Sequence, residues 1–411
     1  MSNDATPKVL MIAYACNPEG TGEHWLGWGW AEQAAQNFSV HLLTTVNARE
    51  AVERHAAALG IQAHFIPVSN RLRALTNPFG SLGAWVRKLV WAGKAAELAE
   101  QLHAREKFAL VHQTTFHTFR IPFLATRLDI PSVWGPLAGG EHTPPGFSRF
   151  IGLAVFAETF RHLSNRLWLR LPVIQRTLAR TSVIFPSNRT TQQFLGAPFA
   201  AKCVVMPPNA MRPEDEEKPV TVRQRVDAIF RLIYVGNAVA TRALPLAFAA
   251  LARSQMTDWE LVVIGGGPAL NSWRRAARRC GVADKVKFLG PLPYPELAKH
   301  YSASDLLVFP ALRDSGGSAL LEAMSKGLPV ICLDWGGPGE MVDAASGVRI
   351  PVTTPDQTIQ AFADALVKLR HDADWRRSLG FEAARRARAH FTWRAKRRVL
   401  EETYNRLLAA R

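Results

Sequence analysis

The run RDSGGSALLEAMSKGLPV, Arg313–Val330, sets two carboxylates, Asp314 and Glu322, eight positions apart, with Ser315, Gly316 and Gly317 directly after the first. The preceding DLLVFPAL reads as a strand and SALLEAMSK as a helix, so Asp314 falls at a strand's carboxyl end and Ser318 at a helix start. Free N–H groups and the dipole of a helix start attract an anion, worth roughly 0.3–1 kcal/mol per charge at an exposed position. Glycine lets a phosphate approach the backbone closely. Glu322 follows up to ~12 Å further on if each residue rises as in a helix. A pyrophosphate at these amides would have a hydroxyl-bearing ring on either side, each within reach of one carboxylate. Such a charged hydrogen bond contributes ~1.5–3 kcal/mol. Sugar, diphosphate and ribose, in that order, make a sugar nucleotide.

The elements that must position these groups read as two series. KVLMIAYA, SVHLLTT, AHFIPV, ALVHQTT and SVWGPL are short apolar strands in the first half. RLIYVGN, ELVVIGGG, KVKFLGPL, DLLVFPAL, PVICLDW and GVRIPV follow in the second, with helical stretches between. Continuous apolar strands alternating with helices predict parallel sheets covered on both faces. The fold class is therefore α/β, with two doubly wound domains, 1–208 and 209–388, and a terminal helix over 389–411 that the sequence does not assign to either. PPNAMRPEDEEKP, Pro207–Pro219, reads as the linker. Ligands of such sheets bind beyond the carboxyl ends of the strands.

The totals agree with two domains. A chain of 411 residues exceeds the ~250–300 at which single cores stop growing. The 48% hydrophobic and 20% charged content argues against disorder. Four separated cysteines predict reduced thiols in a cytosolic protein. The N-terminus, with Asp4 early and a short apolar run, reads as a first strand and not a signal peptide. The net charge of +16 is uneven: no Asp or Glu falls between Thr159 and Pro213, where Arg161, Arg166, Arg170, Arg176, Arg180, Arg189, Lys202 and Arg212 lie. Such a field attracts phosphate-bearing partners.

Asp314 to Glu322 resembles the acidic–seven residues–Glu signature of retaining GT-B glycosyltransferases, especially family 4. The resemblance runs from about residue 231 to 351, through YVGNAVATRAL, VVIGGGP, VKFLGPLPYPELAKHYSASDLLVFP and GLPVICLDWGGPGEMV. It implies two Rossmann-like domains facing a cleft. It carries ribose binding to Glu322, a donor-sugar contact to Asp314 and diphosphate contacts to Asn237 and Arg242. Asparagine at 237 replaces the usual arginine. Gly236, Gly265, Leu289, Ser315, Gly316, Gly317 and Ser318 become further donor contacts. The implied reaction retains configuration, uses a nucleoside diphosphate sugar as substrate and needs no cofactor or metal, Arg242 and the helix start supplying the positive charge.

In the first half, Gly20, Thr21 and Gly22 resemble that family's glycine-rich loop. GPLAGGEH, Gly135–His142, resembles a subset of bacterial polysaccharide glycosyltransferases and is expected to face the cleft. Many relatives carry a histidine where Trp134 stands, which leaves its catalytic role open among Glu141, His142 and His117. GSLGAWVRKLVWAGK and RHLSNRLWLRLPVIQRTLAR are basic, amphipathic and tryptophan-bearing, as helices on anionic membranes are. The expected acceptor is a saccharide or a lipid-linked saccharide at the inner face of the cell membrane. HDADW reads as solvated surface, and VVIGGGPAL lacks the third glycine and later acid of a dinucleotide site. Rival readings are a nucleotide-sugar epimerase on the same scaffold and, from charge alone, a nucleic-acid binder; no nucleic-acid module is recognised, so nucleic acid is not an expected partner.

Overall fold

The computed structural model describes residues 6–217, 219 and 229–410. Asp4, and Lys218 within the linker stretch, lie outside the described residues. Contacts divide the chain into two compact units. Met1–Gly140, Leu163–Pro208 and Trp393–Arg411 form the first, and Glu141–His162 with Asn209–Thr392 the second.

The first sheet is built from β1 (Lys8–Ala13), β2 (Ser39–Thr45), β3 (Gln62–Ile66), β4 (Leu110–Gln113), β5 (Ser132–Leu137) and β6 (Val183–Pro186), in the order β3-β2-β1-β4-β5-β6. The second uses β7 (Phe230–Val235), β8 (Trp259–Ile264), β9 (Val286–Gly290), β10 (Leu306–Phe309), β11 (Val330–Leu333) and β12 (Val348–Ile350), in the order β12-β11-β10-β7-β8-β9. Every printed pairing is parallel. The two orders are the same winding, and each has its switch point where the first and fourth strands of its own series lie side by side.

The helices, in chain order, begin with α1 (Glu23–Ala35), α2 (Arg49–Leu59), α3 (Asn70–Thr76) and α4 (Gly80–Glu106). Next come α5 (Ser148–Ile151), α6 (Ala154–Leu169), α7 (Pro172–Arg180), α8 (Arg189–Leu195) and α9 (Pro213–Glu216). The rest are α10 (Leu244–Arg253), α11 (Leu270–Arg279), α12 (Tyr294–Ala303), α13 (Ser318–Ser325), α14 (Gly336–Met341), α15 (Pro355–His371), α16 (Ala373–His390) and α17 (Trp393–Ala409).

Strand alternation shows why the runs are apolar throughout. In β7, Phe230, Leu232 and Tyr234 enter one core, while Ile233 and Val235 enter another. Both faces are covered, so apolar residues fill both register positions apart from the half-buried Arg231 near the strand's start.

Two departures from the sequence reading, and one placement it left open, have physical causes. The strand β6 is not among the runs read as strands; it is only four residues long, too short for an apolar pattern to stand out. Pro186 is its last residue, and its carbonyl still accepts the Met206 N–H at 2.8 Å. Secondly, Glu141–His162, expected in the first domain, belongs to the second unit. Phe147 and Ile151 are buried in the same cluster as Phe230 and Leu232. Thirdly, α17 belongs to the first unit. Its Trp393 ring lies so close to Gly29 of α1 that a Cβ there would come within 2.0 Å of it.

Candidate active site at the switch point of the second sheet

Loops leaving β7 and β10 meet at the second switch point. The Thr241 carbonyl accepts the Leu312 N–H at 2.9 Å and the Arg313 N–H at 3.3 Å, which ties one loop to the other. A third loop, after β8, is zipped to the first by Gly236 N–H to Ile264 O and Ala238 N–H to Gly266 O. Gly265 has φ 128°, and a Cβ there would sit 2.1 Å from the Gly236 carbonyl oxygen. Gly236 and Gly265, expected as donor contacts, therefore have a packing requirement of their own.

Arg242, on the turn before α10, ion-pairs with Asp314 across the switch point. The other carboxylate oxygen of Asp314 accepts the N–H groups of Gly316 at 3.1 Å and Gly317 at 3.2 Å. Asp314 thus orders the turn before α13 and orients the guanidinium. Only one of the five Arg242 N–H donors goes to this carboxylate. Burial lowers the Arg242 pKa, yet the guanidinium keeps its charge at any ordinary pH. Two amides assigned from sequence to a phosphate are engaged by Asp314 in this structure. Ser315 is half-buried, and Ser318, the first residue of α13, is exposed.

The turn is held from beneath. Gly337 N–H donates to the Asp314 carbonyl at 2.9 Å, and a Cβ on Gly337 would meet the Ser315 and Gly316 backbone at 2.4–2.6 Å. The Asn209 side-chain amide donates to the Gly316 carbonyl at 2.8 Å. This asparagine, read from sequence only as linker, is a positioning residue.

Glu322 projects from α13 into a polar cluster. Its carboxylate accepts the Tyr301 hydroxyl at 3.0 Å. Nearby, Asp215 pairs with Lys326 at 2.8 Å and accepts the Tyr294 hydroxyl, over whose ring Arg212 lies at 4.1 Å. Burial raises the Glu322 pKa, opposed by the Tyr301 hydrogen bond and by Arg212. Tyr301, Asp215 and Lys326 were not found from sequence. Tyr301 could have been, since HYSASD places a hydroxyl one strand before the acid signature.

The open catalytic choice separates in space. Glu141 and His142 lie in the second unit. The Glu141 carbonyl accepts Arg161 at 2.6 Å, and Arg161 shares Glu158 with Arg313, the neighbour of Asp314. Burial and Arg161 depress the Arg313 pKa, while Glu158 and Glu141 oppose them. The His142 carbonyl accepts the Trp335 indole N–H at 2.8 Å. His117 instead stands at the first unit's switch point, where its backbone N–H donates to Glu23 at 3.0 Å. Its Nε2 is buried without a partner, and burial lowers its pKa against the pull of Glu23.

The loop with Gly20, Thr21 and Gly22 closes on itself before α1. Gly20 N–H donates to Asn17 O at 3.1 Å, and Gly22 takes φ 58° at the helix N-cap. Asn237 is exposed, and Leu289 is 44% exposed on the edge strand β9. Asp372 of HDADW caps α16 by accepting the Trp375 N–H. Among the described residues no three His, Cys, Asp or Glu side chains gather as a metal site, and no helix is long and apolar enough to cross a membrane.

Residues 223–386 match the family model for glycosyl transferases group 1. Over 302 residues, the chain is 30% identical to a GDP-mannose-dependent α-(1-6)-phosphatidylinositol monomannoside mannosyltransferase of Mycobacterium tuberculosis, covering 67% of this chain and 75% of that one. The chain belongs to the group 1 glycosyltransferases. A D-inositol 3-phosphate glycosyltransferase of Kineococcus radiotolerans is 29% identical over 76% of this chain and 75% of that one. Among solved folds, sucrose-phosphate synthase from Thermosynechococcus elongatus superposes with a TM-score of 0.64 at 18% identity, over 98% and 100% of the two chains. Anabaena HepE in complex with UDP gives 0.62 at 17% identity, over 97% and 100%. The fold of this glycosyltransferase is GT-B, two doubly wound α/β domains.

Proposed function

We propose that this glycosyltransferase moves a sugar, with retention, from a nucleoside diphosphate sugar to a saccharide or lipid-linked acceptor in surface polysaccharide or glycolipid synthesis. One observation carries the donor assignment: an arginine and a carboxylate paired across a switch point, with a hydroxyl-supported glutamate on the helix that follows. Glu322 holds the ribose hydroxyls, with Tyr301 fixing its carboxylate. Arg242 turns its remaining N–H donors toward the diphosphate, and Asp314 orients it and reaches the donor sugar. As the sugar–phosphate C–O bond breaks, the acceptor hydroxyl forms the new glycosidic bond on the same face. Its proton passes to the leaving phosphate oxygen, whose charge Arg242 and the α13 amides stabilise. Glu141, linked to this centre through Arg161, Glu158 and Arg313, assists in positioning the reacting sugar. The relative's GDP-mannose and phosphatidylinositol mannoside substrates make a hexosyl donor and a lipid acceptor natural first choices.

The same reading places the enzyme at the inner face of an anionic membrane. Phe156, Phe160, Leu163 and Leu167 recur at spacings of three and four along α6, with Leu153 just before it, each more than half exposed. Such a stripe beside Arg166 and Arg170 matches an interfacial helix.

A thermal-shift panel of UDP-, GDP-, ADP- and TDP-sugars against wild type and Glu322→Ala tests the donor assignment. One nucleotide should stabilise the wild type, and that shift should vanish in the variant. A wild-type shift that survives in Glu322→Ala would remove the assignment.

A further inference from the structure

The first unit carries a cationic cavity on the β1–β2–β3 side of its switch point. Its ≈ 310 Å³ lie beyond the carboxyl ends of β1, β2 and β3, with Tyr14, Asn47, Arg73, Asn77 and Arg87 in the lining. The cations are held in place by neutral groups. Arg87 donates to the Thr76 hydroxyl at 2.6 Å and to the Asn77 side-chain carbonyl at 3.2 Å. Arg73 donates to the Asn47 side-chain carbonyl at 3.2 Å. Gly83 makes this possible: a Cβ there would come within 1.8 Å of the Thr76 carbonyl oxygen, so only glycine lets α4 approach the end of α3. Lys88 stands over the Tyr14 ring at 5.8 Å. Among the described residues, neither Arg73, Arg87 nor Lys88 is paired with a carboxylate. Each guanidinium has five N–H donors, so most remain to be offered to a ligand.

Three cations with no carboxylate ion pair, a tyrosine hydroxyl and two side-chain amides describe a receptor for a tetrahedral oxyanion, which guanidinium forks match better than ammonium groups alone. Burial, aided by Glu23, raises the Tyr14 pKa against the pull of Arg87 and Arg73, so its hydroxyl remains a donor. The exposed surface of α3, α4 and the turn between them also carries apolar side chains. Leu75, Phe79 and Leu82 are 70%, 65% and 63% exposed. Trp85 of α4 packs on Trp168 at 4.7 Å between ring centroids, which continues this surface to the exposed Leu163 and Leu167. A phosphate receptor beside an exposed apolar face fits an amphiphile.

We propose that the Tyr14–Arg73–Arg87 cavity binds the phosphate of an anionic lipid, with the lipid's apolar part against Leu75, Phe79 and Leu82. This rests on the transferase reading in one respect: the lipid so held is the acceptor, and the cavity is its phosphate subsite.

Flotation of the full-length protein with vesicles of phosphatidylcholine alone, and of phosphatidylcholine with phosphatidylglycerol, tests it. Thermal shift with inorganic phosphate is measured in parallel. The wild type should float with the anionic vesicles alone and gain stability from phosphate. Arg73→Gln/Arg87→Gln should weaken flotation roughly 30-fold, the loss of two basic contacts, and abolish the phosphate shift. Phe79→Ser/Leu82→Ser should lose flotation and keep the phosphate shift. Flotation unchanged in the double arginine variant would overturn the proposal. So would a phosphate shift in a wild type that floats with neither vesicle, which would make the cavity a site for free phosphate. Should the double variant fail to fold, Arg73→Gln alone must weaken flotation about fivefold, since its guanidinium touches only the Asn47 side chain. The nucleotide-sugar shift reads the second unit independently. Its absence beside intact, arginine-dependent flotation would sink the donor assignment of the proposed function and leave the cavity standing.

Discussion

Glu322 is held at a cost that its own chemistry explains. Burial raises its pKa, so the folded protein binds a proton there more tightly than the unfolded chain does. The sign is therefore that its ionisation subtracts stability as pH rises above the ordinary carboxylate range near ~4.3. Glu322→Gln should melt higher than wild type at pH 7, with the gap closing below that range, while losing its nucleotide-sugar shift. Melting curves at several pH values, with and without donor, check both halves. At Asp314 two functions share one carboxylate. Asp314→Asn keeps an oxygen for the Gly316 and Gly317 amides and gives up the ion pair with Arg242. It should fold normally and lose kcat. Asp314→Ala should cost about 1 kcal/mol of stability besides, the usual value of a lost cap; urea unfolding of the two variants separates these effects.

At the scale of elements, close backbone approach sets the site. Gly337 on α14 faces backbone atoms of Ser315 and Gly316, which cannot rotate away as a side chain would. Gly337→Ala should cost ~1–3 kcal/mol and weaken donor binding, because the displaced atoms belong to the turn that orders Arg242. Calorimetric titration with the active donor reads the second effect. The repeated motif of WLGWGW has a similar origin. Gly27 lies against the Ala15 carbonyl and Gly29 against the Trp393 ring, so α1 is shaped by the segment just after β1 on one side and by α17 on the other. Both are packing requirements, distinct from the glycine-rich turn at Gly20–Gly22 just before them.

Across the whole molecule, α17 completes the first unit and adds a pH dependence to it. Its Tyr404 hydroxyl donates to His112 Nδ1 at 2.6 Å, and His112 Nε2 donates to the Gly135 carbonyl at 2.8 Å. Burial pushes the His112 pKa down to about 4, so the ring stays neutral. Lys396, also on α17, is buried, hydrogen-bonds the Pro207 carbonyl and has its pKa pushed down to about 7. The unfolded chain, near 10.5, holds that proton more tightly. Stability from this group therefore rises with pH between about 7 and 10.5, by at most roughly 1.4 kcal/mol per pH unit. Lys396→Met should flatten that slope relative to wild type in denaturation series from pH 7 to 10. Much of this architecture was legible in the sequence, because local rules suffice for it. Apolar runs alternating with helical stretches gave eleven of the twelve strands, and the acid signature marked the loop after β10. Asp314 and Glu322 could be read because both lie on one strand–turn–helix unit. Long-range contacts were not legible. The grip of Asp314 on Arg242, the support of Glu322 by Tyr301 and the lock of Asn209 on Gly316 join residues 72, 21 and 107 positions apart. The place of α17 and of Glu141–His162 likewise depends on which buried surface each completes. Sequence periodicity shows that a helix has an apolar face; only the tertiary structure shows what covers it.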